Sequence, residues 1–204
     1  MHTDTTVAIA YHSGYGHTAV LAEAVADAVA DAGATAVPVP VEGITPEQWE
    51  ALDTADAIVF GAPTYLGTAS GAFHAFAEST SRRWAERVWT DKVAAGFTIS
   101  GSMSGDKLHT LQYFSVFAAQ HGMHWVSLDL LPGWSASTAS EHDLNRLGIT
   151  LGAGAQTDTD RGPEEVSKAD AQTAFHLGAR VARVAGTLRA GLRAGTAFGE
   201  EQRI

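Results

Sequence analysis

The chemistry open to this sequence is concentrated in three short segments rich in glycine and hydroxyl side chains. The first, Tyr11-His12-Ser13-Gly14-Tyr15-Gly16-His17-Thr18, joins an apolar run at 7–10 to an apolar-periodic stretch at 20–29. That is the pattern of a strand, a turn and a helix. Unpaired backbone N–H groups at a helix start, with the positive end of its dipole, favour a phosphate just outside such a turn. Ser13 and Thr18 add hydroxyl donors, and Gly14 and Gly16 lack the Cβ atoms that would keep a ligand off the backbone. The second segment, Gly61-Ala62-Pro63-Thr64-Tyr65-Leu66-Gly67-Thr68, combines a rigid proline, an aromatic and glycines that let a flat ring approach closely. The third, Ser100-Gly101-Ser102-Met103-Ser104-Gly105, is dense in small residues, amides and hydroxyls.

These segments need a scaffold that brings them together. Apolar runs at 7–10, 36–41, 57–61, 93–99 and 125–131 alternate with helical patterns, so the sequence predicts an α/β fold of five β/α units, a five-stranded parallel sheet with helices on both faces. Helices are expected over the apolar-periodic stretch at 20–29 with Gly33 as the stop, from Pro46 with Thr45 as its cap, over 70–83, over 107–121 and over 163–192. A single domain is expected over 1–204, with a long loop insertion at 131–163 that serves as lid, binding loop or interface, and a flexible tail at 195–204. In an open parallel sheet the loops after strands one, three and four meet at the switch point beyond the carboxyl ends. A phosphate turn beside two amide-rich, ring-hugging loops is what flavin mononucleotide (FMN) requires.

Composition narrows the alternatives. The chain has no cysteine, which excludes disulfides, thiolate nucleophiles and cysteine-ligated metal, so redox chemistry has to come from a bound cofactor. A net charge of −10 argues against nucleic acid as a partner, and the basic stretch of Arg180, Arg183, Arg189 and Arg193 reads as a solvated helix face. Without a long apolar run or a leader pattern, a cytoplasmic protein with no membrane contact is the expectation. His121 and His124 flank one turn without a third metal ligand, Met103 occupies the place a serine nucleophile would need, and the third strand ends without a phospho-acceptor aspartate. Gly14-Tyr15-Gly16-His17-Thr18-Ala19 also fits the degenerate dinucleotide fingerprint, although Glu42 lies too far along for the ribose-binding acid of that reading.

Ser13-Gly14-Tyr15-Gly16-His17-Thr18, Pro63-Thr64-Tyr65-Leu66-Gly67 with Ser70-Gly71, and Gln120-His121-Gly122-Met123 resemble, in order and spacing, the NAD(P)H:quinone oxidoreductases of the tryptophan-repressor-binding-protein family. The resemblance implies a flavodoxin-like three-layer sandwich with bound FMN, NADH or NADPH as co-substrate, a quinone or flavin-type acceptor, and a homo-oligomer, dimer or tetramer. Carried over by motif position, Ser13 to Thr18 would hold the FMN phosphate, while residues 63–67 and 100–105 with Gln120 would surround the ring. Tyr15 and Trp84 match positions lining the nicotinamide and quinone pocket, Trp84 reaching a neighbouring subunit's site or else covering a helix end. Three departures stand out: Tyr65-Leu66 in place of an arginine and phenylalanine, Gln120 in place of the first of two histidines, and Met103 with Asp106-Lys107 in place of a glycine- and glutamine-rich stretch. A single-electron carrier of the flavodoxin type, a flavin-binding accessory protein and a specialised reductase of polycyclic quinones remain open beside the quinone reductase.

Overall fold

The computed structural model describes residues 5–201, with side chains as far as residue 192. In chain order the elements are β1 (Thr6–Tyr11), α1 (His17–Asp31), β2 (Thr35–Pro40), α2 (Pro46–Thr54), β3 (Ala57–Tyr65), β4 (Thr68–Ala69), α3 (Gly71–Ser79), α4 (Ser81–Ala85), β5 (Val93–Ser100), α5 (Lys107–Gln120), β6 (His124–Trp125), β7 (Ala153–Gln156), a 3₁₀ turn at Pro163–Glu165 and α6 (Lys168–Glu201).

The near-continuous apolar runs of β1, β3 and β5 make them the buried strands of a parallel sheet ordered β2-β1-β3-β5-β6. Successive side chains point to opposite faces. Val7, Ile9, Val59 and Phe97 therefore pack under Leu21 and Val25 of α1 and Leu177 and Val181 of α6. Ala8, Ile58 and Phe60 pack against Leu52 of α2, Phe73 of α3 and Phe114 of α5. These are the three layers that the alternation of elements predicts.

The sheet holds seven strands, which corrects the expected five. One addition is β4, which folds back antiparallel on β3 through Tyr65↔Thr68 and Thr64↔Ala69. The other is a split at the fifth position. The apolar run at 125–131 pairs with β5 only at its start, Ala94↔Trp125, and β7 takes over at Phe97↔Ala153 through Ser100↔Gln156. Between them the amide of Leu128 turns away to donate to Thr150 O, and Asp129 has φ +58, outside the extended region. The insertion therefore runs between β6 and β7, over 126–152, and β7 itself falls inside the 131–163 segment expected as a loop. Gly152 closes it against the carbonyl of Gly96, an approach with no room for a Cβ.

The remaining elements follow local rules. Thr45 and Gln48 form a capping box on α2, behind Pro46 at its first turn. On α6, Arg180 pairs with Asp129 and Arg189 with Asp56, so two of the four arginines fasten the helix to the sheet's flank; the side chain of Arg193 lies outside the described residues. The tail expected from 195 falls on backbone that is helical to Glu201 and then on 202–204, outside the described residues. No helix among the described residues is long and apolar enough to cross a membrane.

Candidate functional site

β1, β3, β5 and β7 all end at one rim of the sheet, and the loops that follow them enclose a cleft there. The turn after β1 forms its first wall. Gly16 enters α1 at φ +88, and a Cβ on it would also press on Pro163 at 3.1 Å, so both conformation and space select glycine. The amide of Ala19 is satisfied by the Ser13 hydroxyl at 3.1 Å, whereas the amides of Gly14, Tyr15, Gly16, His17 and Thr18 find no acceptor among the described residues. His12, buried beneath the turn, bridges Ser70 (Nδ1 to Oγ 2.7 Å) and Glu42 (Nε2 to Oε2 3.4 Å), tying the loops after β2 and β4 to it. His17 donates from Nε2 to Arg161 O at 2.9 Å and is thus a loop contact.

The second wall is the β3–β4 hairpin. Leu66 and Gly67 both take positive φ, +48 and +88, the geometry of a tight two-residue hairpin turn. Leucine is strained there by about 1 kcal/mol, yet its side chain is fully solvent-exposed. His109 of α5 donates to Gly67 O at 2.7 Å and pins the tip. Beneath it three buried hydroxyls form a chain whose direction is fixed. Thr98 donates to Ala62 O (2.7 Å), so it accepts from Thr64 (2.7 Å), which in turn accepts from Thr110 (2.8 Å). Tyr65 reaches over the turn, its hydroxyl 3.0 Å from where a Cβ on Gly14 would stand. Burial pushes the Tyr65 phenol above its usual range, with neighbouring Tyr15 adding to the effect.

The third wall is the loop at 100–105 and the fourth is the segment after β7. A cavity of about 290 Å³ lies between Gly14, Thr18, Pro63, Tyr65, Gly101 and Thr157. It meets a second hollow of about 530 Å³, bordered by Thr64, Leu66, Gly67, Ser102 and Gly105, at Ser100, Gly101 and Thr159. Gly101 lies so close to Thr159 that an added Cβ would come within 2.5 Å of its methyl. Met103 and Ser104 face away, into a separate pocket of about 650 Å³ shared with Trp134 of the insertion. That pocket is larger, but the phosphate-type turn borders only the smaller one.

The structure therefore gathers Ser13 to Thr18, Pro63 to Gly67, and Ser100, Gly101, Ser102 and Gly105 around one rim. It does not bring Gln120 or Trp84 there. Gln120 ends the 14-residue α5, about 20 Å from the helix start. It stands near β6, level with the entry of β5. Trp84 lies on α4, beside the same edge, where Thr80 accepts from His121 Nε2 at 3.0 Å. Within one chain both stand opposite the cleft.

Sequence reasoning missed Thr157, Thr159 and Lys107. The Thr157 hydroxyl is buried on the cleft wall with no partner among the described residues. Its signal, Thr157-Asp158-Thr159-Asp160 after a strand, was hidden because Ala153-Gly154-Ala155 lacks the β-branched residues that announce one. Lys107 is wholly buried behind the 100–105 loop.

An FMN-type ligand fits this donor set. Five free amides at a helix start suit a phosphate, the orphaned Thr157 hydroxyl awaits a polar partner, and glycines at 14, 101 and 105 floor the cleft. Residues 9–131 match the NADPH-dependent FMN reductase family. Over 183 residues the chain is 43% identical to a protein named flavodoxin FldP of Pseudomonas aeruginosa (89% of this chain, 97% of the relative). Over 201 residues it is 32% identical to an NAD(P)H dehydrogenase (quinone) of Archaeoglobus fulgidus (88% and 96%). The crystal structure of a WrbA-like flavodoxin from Agrobacterium tumefaciens superposes with a TM-score of 0.68 at 41% identity, covering 89% of this chain and 97% of that one. The chain belongs to the NADPH-dependent FMN reductase family, and is a WrbA-like oxidoreductase of flavodoxin fold that uses FMN with NAD(P)H as co-substrate.

Proposed function

We propose that the protein passes two electrons from NADH or NADPH through FMN to a quinone or similar flat acceptor, in the cytoplasm. The observation that carries this reading is the free-amide turn at 14–18 on the same rim as a glycine-floored cleft holding an unpartnered Thr157 hydroxyl. FMN, when bound, supplies the electron-transfer chemistry; the chain supplies grip, orientation and cover. Ser13 to Thr18 hold the phosphate, with the Thr157 hydroxyl donating to the same ligand from across the cleft. Pro63 to Gly67 with Ser100, Gly101, Ser102 and Gly105 fix the ring, and exposed Tyr15 and Tyr65 offer aromatic faces to flat partners. Trp84 and Gln120 act on the site of a neighbouring copy in a homo-oligomer, since neither reaches the rim of its own chain.

The test mixes purified protein with FMN, each nicotinamide nucleotide and a benzoquinone. The expected result is a flavin spectrum on the protein and nucleotide oxidation that depends on the quinone. Absence of both bound flavin and oxidation would reject the reading. The 43%-identical relative named a flavodoxin favours a second reading, a single-electron carrier. A stable one-electron-reduced form in a dithionite titration supports the carrier, and direct passage to the two-electron-reduced state supports the reductase.

A further inference from the structure

Lys107 opens α5 and is fully buried, yet its chain curls back into the loop that precedes it. Its ammonium donates to Ser100 Oγ at 2.7 Å, Ser102 O at 2.5 Å and Met103 O at 3.2 Å, which uses all three of its N–H groups. In a trans peptide the N–H points opposite to the carbonyl. With the Ser102 and Met103 carbonyls turned in to the ammonium, the amides of Met103 and Ser104 are turned out. Neither finds an acceptor among the described residues. Gly105, at φ +54, closes the wrap, and a Cβ there would stand 3.2 Å from Nζ.

No carboxylate ion-pairs with this ammonium among the described residues. The nearest acidic influence, Asp170 of α6, is held by Arg146 of the insertion (2.8 and 2.7 Å) and by the amide of Gln156 (2.9 Å). The ammonium's direct partners are neutral dipoles, with the Arg146–Asp170 pair beyond them, and it lies one loop thickness behind the hollow bordered by Ser100, Ser102 and Gly105. Charge acts strongly across so short a desolvated distance. Two-electron reduction adds negative charge to a flavin, which a fixed cation nearby favours.

We propose that Lys107 is a positioning residue of the flavin site: its buried ammonium holds the 100–105 loop with the amides outward and favours reduced over oxidised FMN. The proposal rests on the flavin reading above and adds to it the residue that sets the potential. Burial brings the ammonium down to about 8, against the pull of Asp170 and with the push of Arg146, so it is largely charged at neutral pH.

The test compares FMN-loaded wild-type protein with Lys107→Met and Lys107→Gln. Affinity for oxidised FMN is read by quenching of flavin fluorescence, and the two-electron midpoint potential by equilibration with a reference dye. In both variants reduced FMN should lose about tenfold more affinity than oxidised FMN, a midpoint about 30 mV lower for a two-electron couple. Gln keeps two N–H donors and should retain more of the oxidised affinity than Met. A folded variant with the wild-type midpoint overturns the proposal. Hydrogen exchange on the wild type needs no variant: amides at 102–105 should exchange freely without FMN and be protected with it, and equal exchange in both states overturns it as well. If the wild type takes up no FMN, the flavin reading fails and Lys107 with it, whereas uptake with unshifted variant midpoints defeats Lys107 alone.

Discussion

At the scale of single residues, two buried hydrogen-bonding groups have states fixed by their partners. In the chain Thr110, Thr64, Thr98, Ala62 O, every hydroxyl proton has one place to go. Thr98→Val keeps the shape but leaves the Thr64 hydroxyl proton without its buried acceptor under the rim. Urea unfolding should show a loss of about 1–3 kcal/mol. His121 is the second case. Thr80 donates to Ala77 O at 2.7 Å, so it accepts from His121 Nε2–H, and Nδ1 is left as a buried lone pair without a partner. Burial, with Arg87 nearby, lowers its pKa from 6.5 to about 4. Between those values the unfolded chain binds the proton and the folded chain does not, so stability is full above pH 6.5 and falls as pH drops toward 4. The loss should be of order 2–3 kcal/mol in denaturant midpoints taken along that range. His121→Gln should flatten this part of the profile.

At the scale of elements, the phosphate-type turn depends on how α1 is seated, and α1 is seated chiefly on α6. The two helices meet at Gly178, where an added Cβ would come within 2.5 Å of Val25 O and 3.0 Å of the Ala28 methyl. Backbone cannot give way as a side chain tip can. Gly178→Ala should therefore cost about 1–3 kcal/mol despite alanine's helix propensity. Gly186→Ala on the same helix meets only Thr5 Oγ1 at 3.4 Å and should gain up to about 1 kcal/mol, both variants being measured against wild type by thermal unfolding. What the sequence made legible divides along similar lines. β1, β3 and β5 could be read because burial on both faces writes itself as an apolar run, and α2 because its cap is local. The glycines and hydroxyls at 13–18 announced their turn. β7 could not be read, because a four-residue strand of small side chains carries no periodicity. Thr157 and Lys107 were hidden with it: their roles depend on which strand ends beside which, a long-range fact that no window of sequence contains.

At the scale of the whole molecule, one chain holds the cleft at one end of its sheet and Trp84 with Gln120 at the other. If these act across a subunit boundary, two defective variants should repair each other. Co-expressed Trp84→Ala and Gly101→Val proteins should form mixed oligomers with quinone reductase activity above either variant alone, measured after tandem-tag purification. Light scattering that finds only monomer would remove this expectation. The same large-scale view bears on how copies can meet at all. One margin of the sheet is β2, where Pro38 and Pro40 offer no N–H; the other is divided into a two-residue and a four-residue piece. Neither margin can template an incoming strand. The split that the insertion makes in the fifth position therefore also guards the protein against ribbon-like aggregation, and leaves association to its helices and loops.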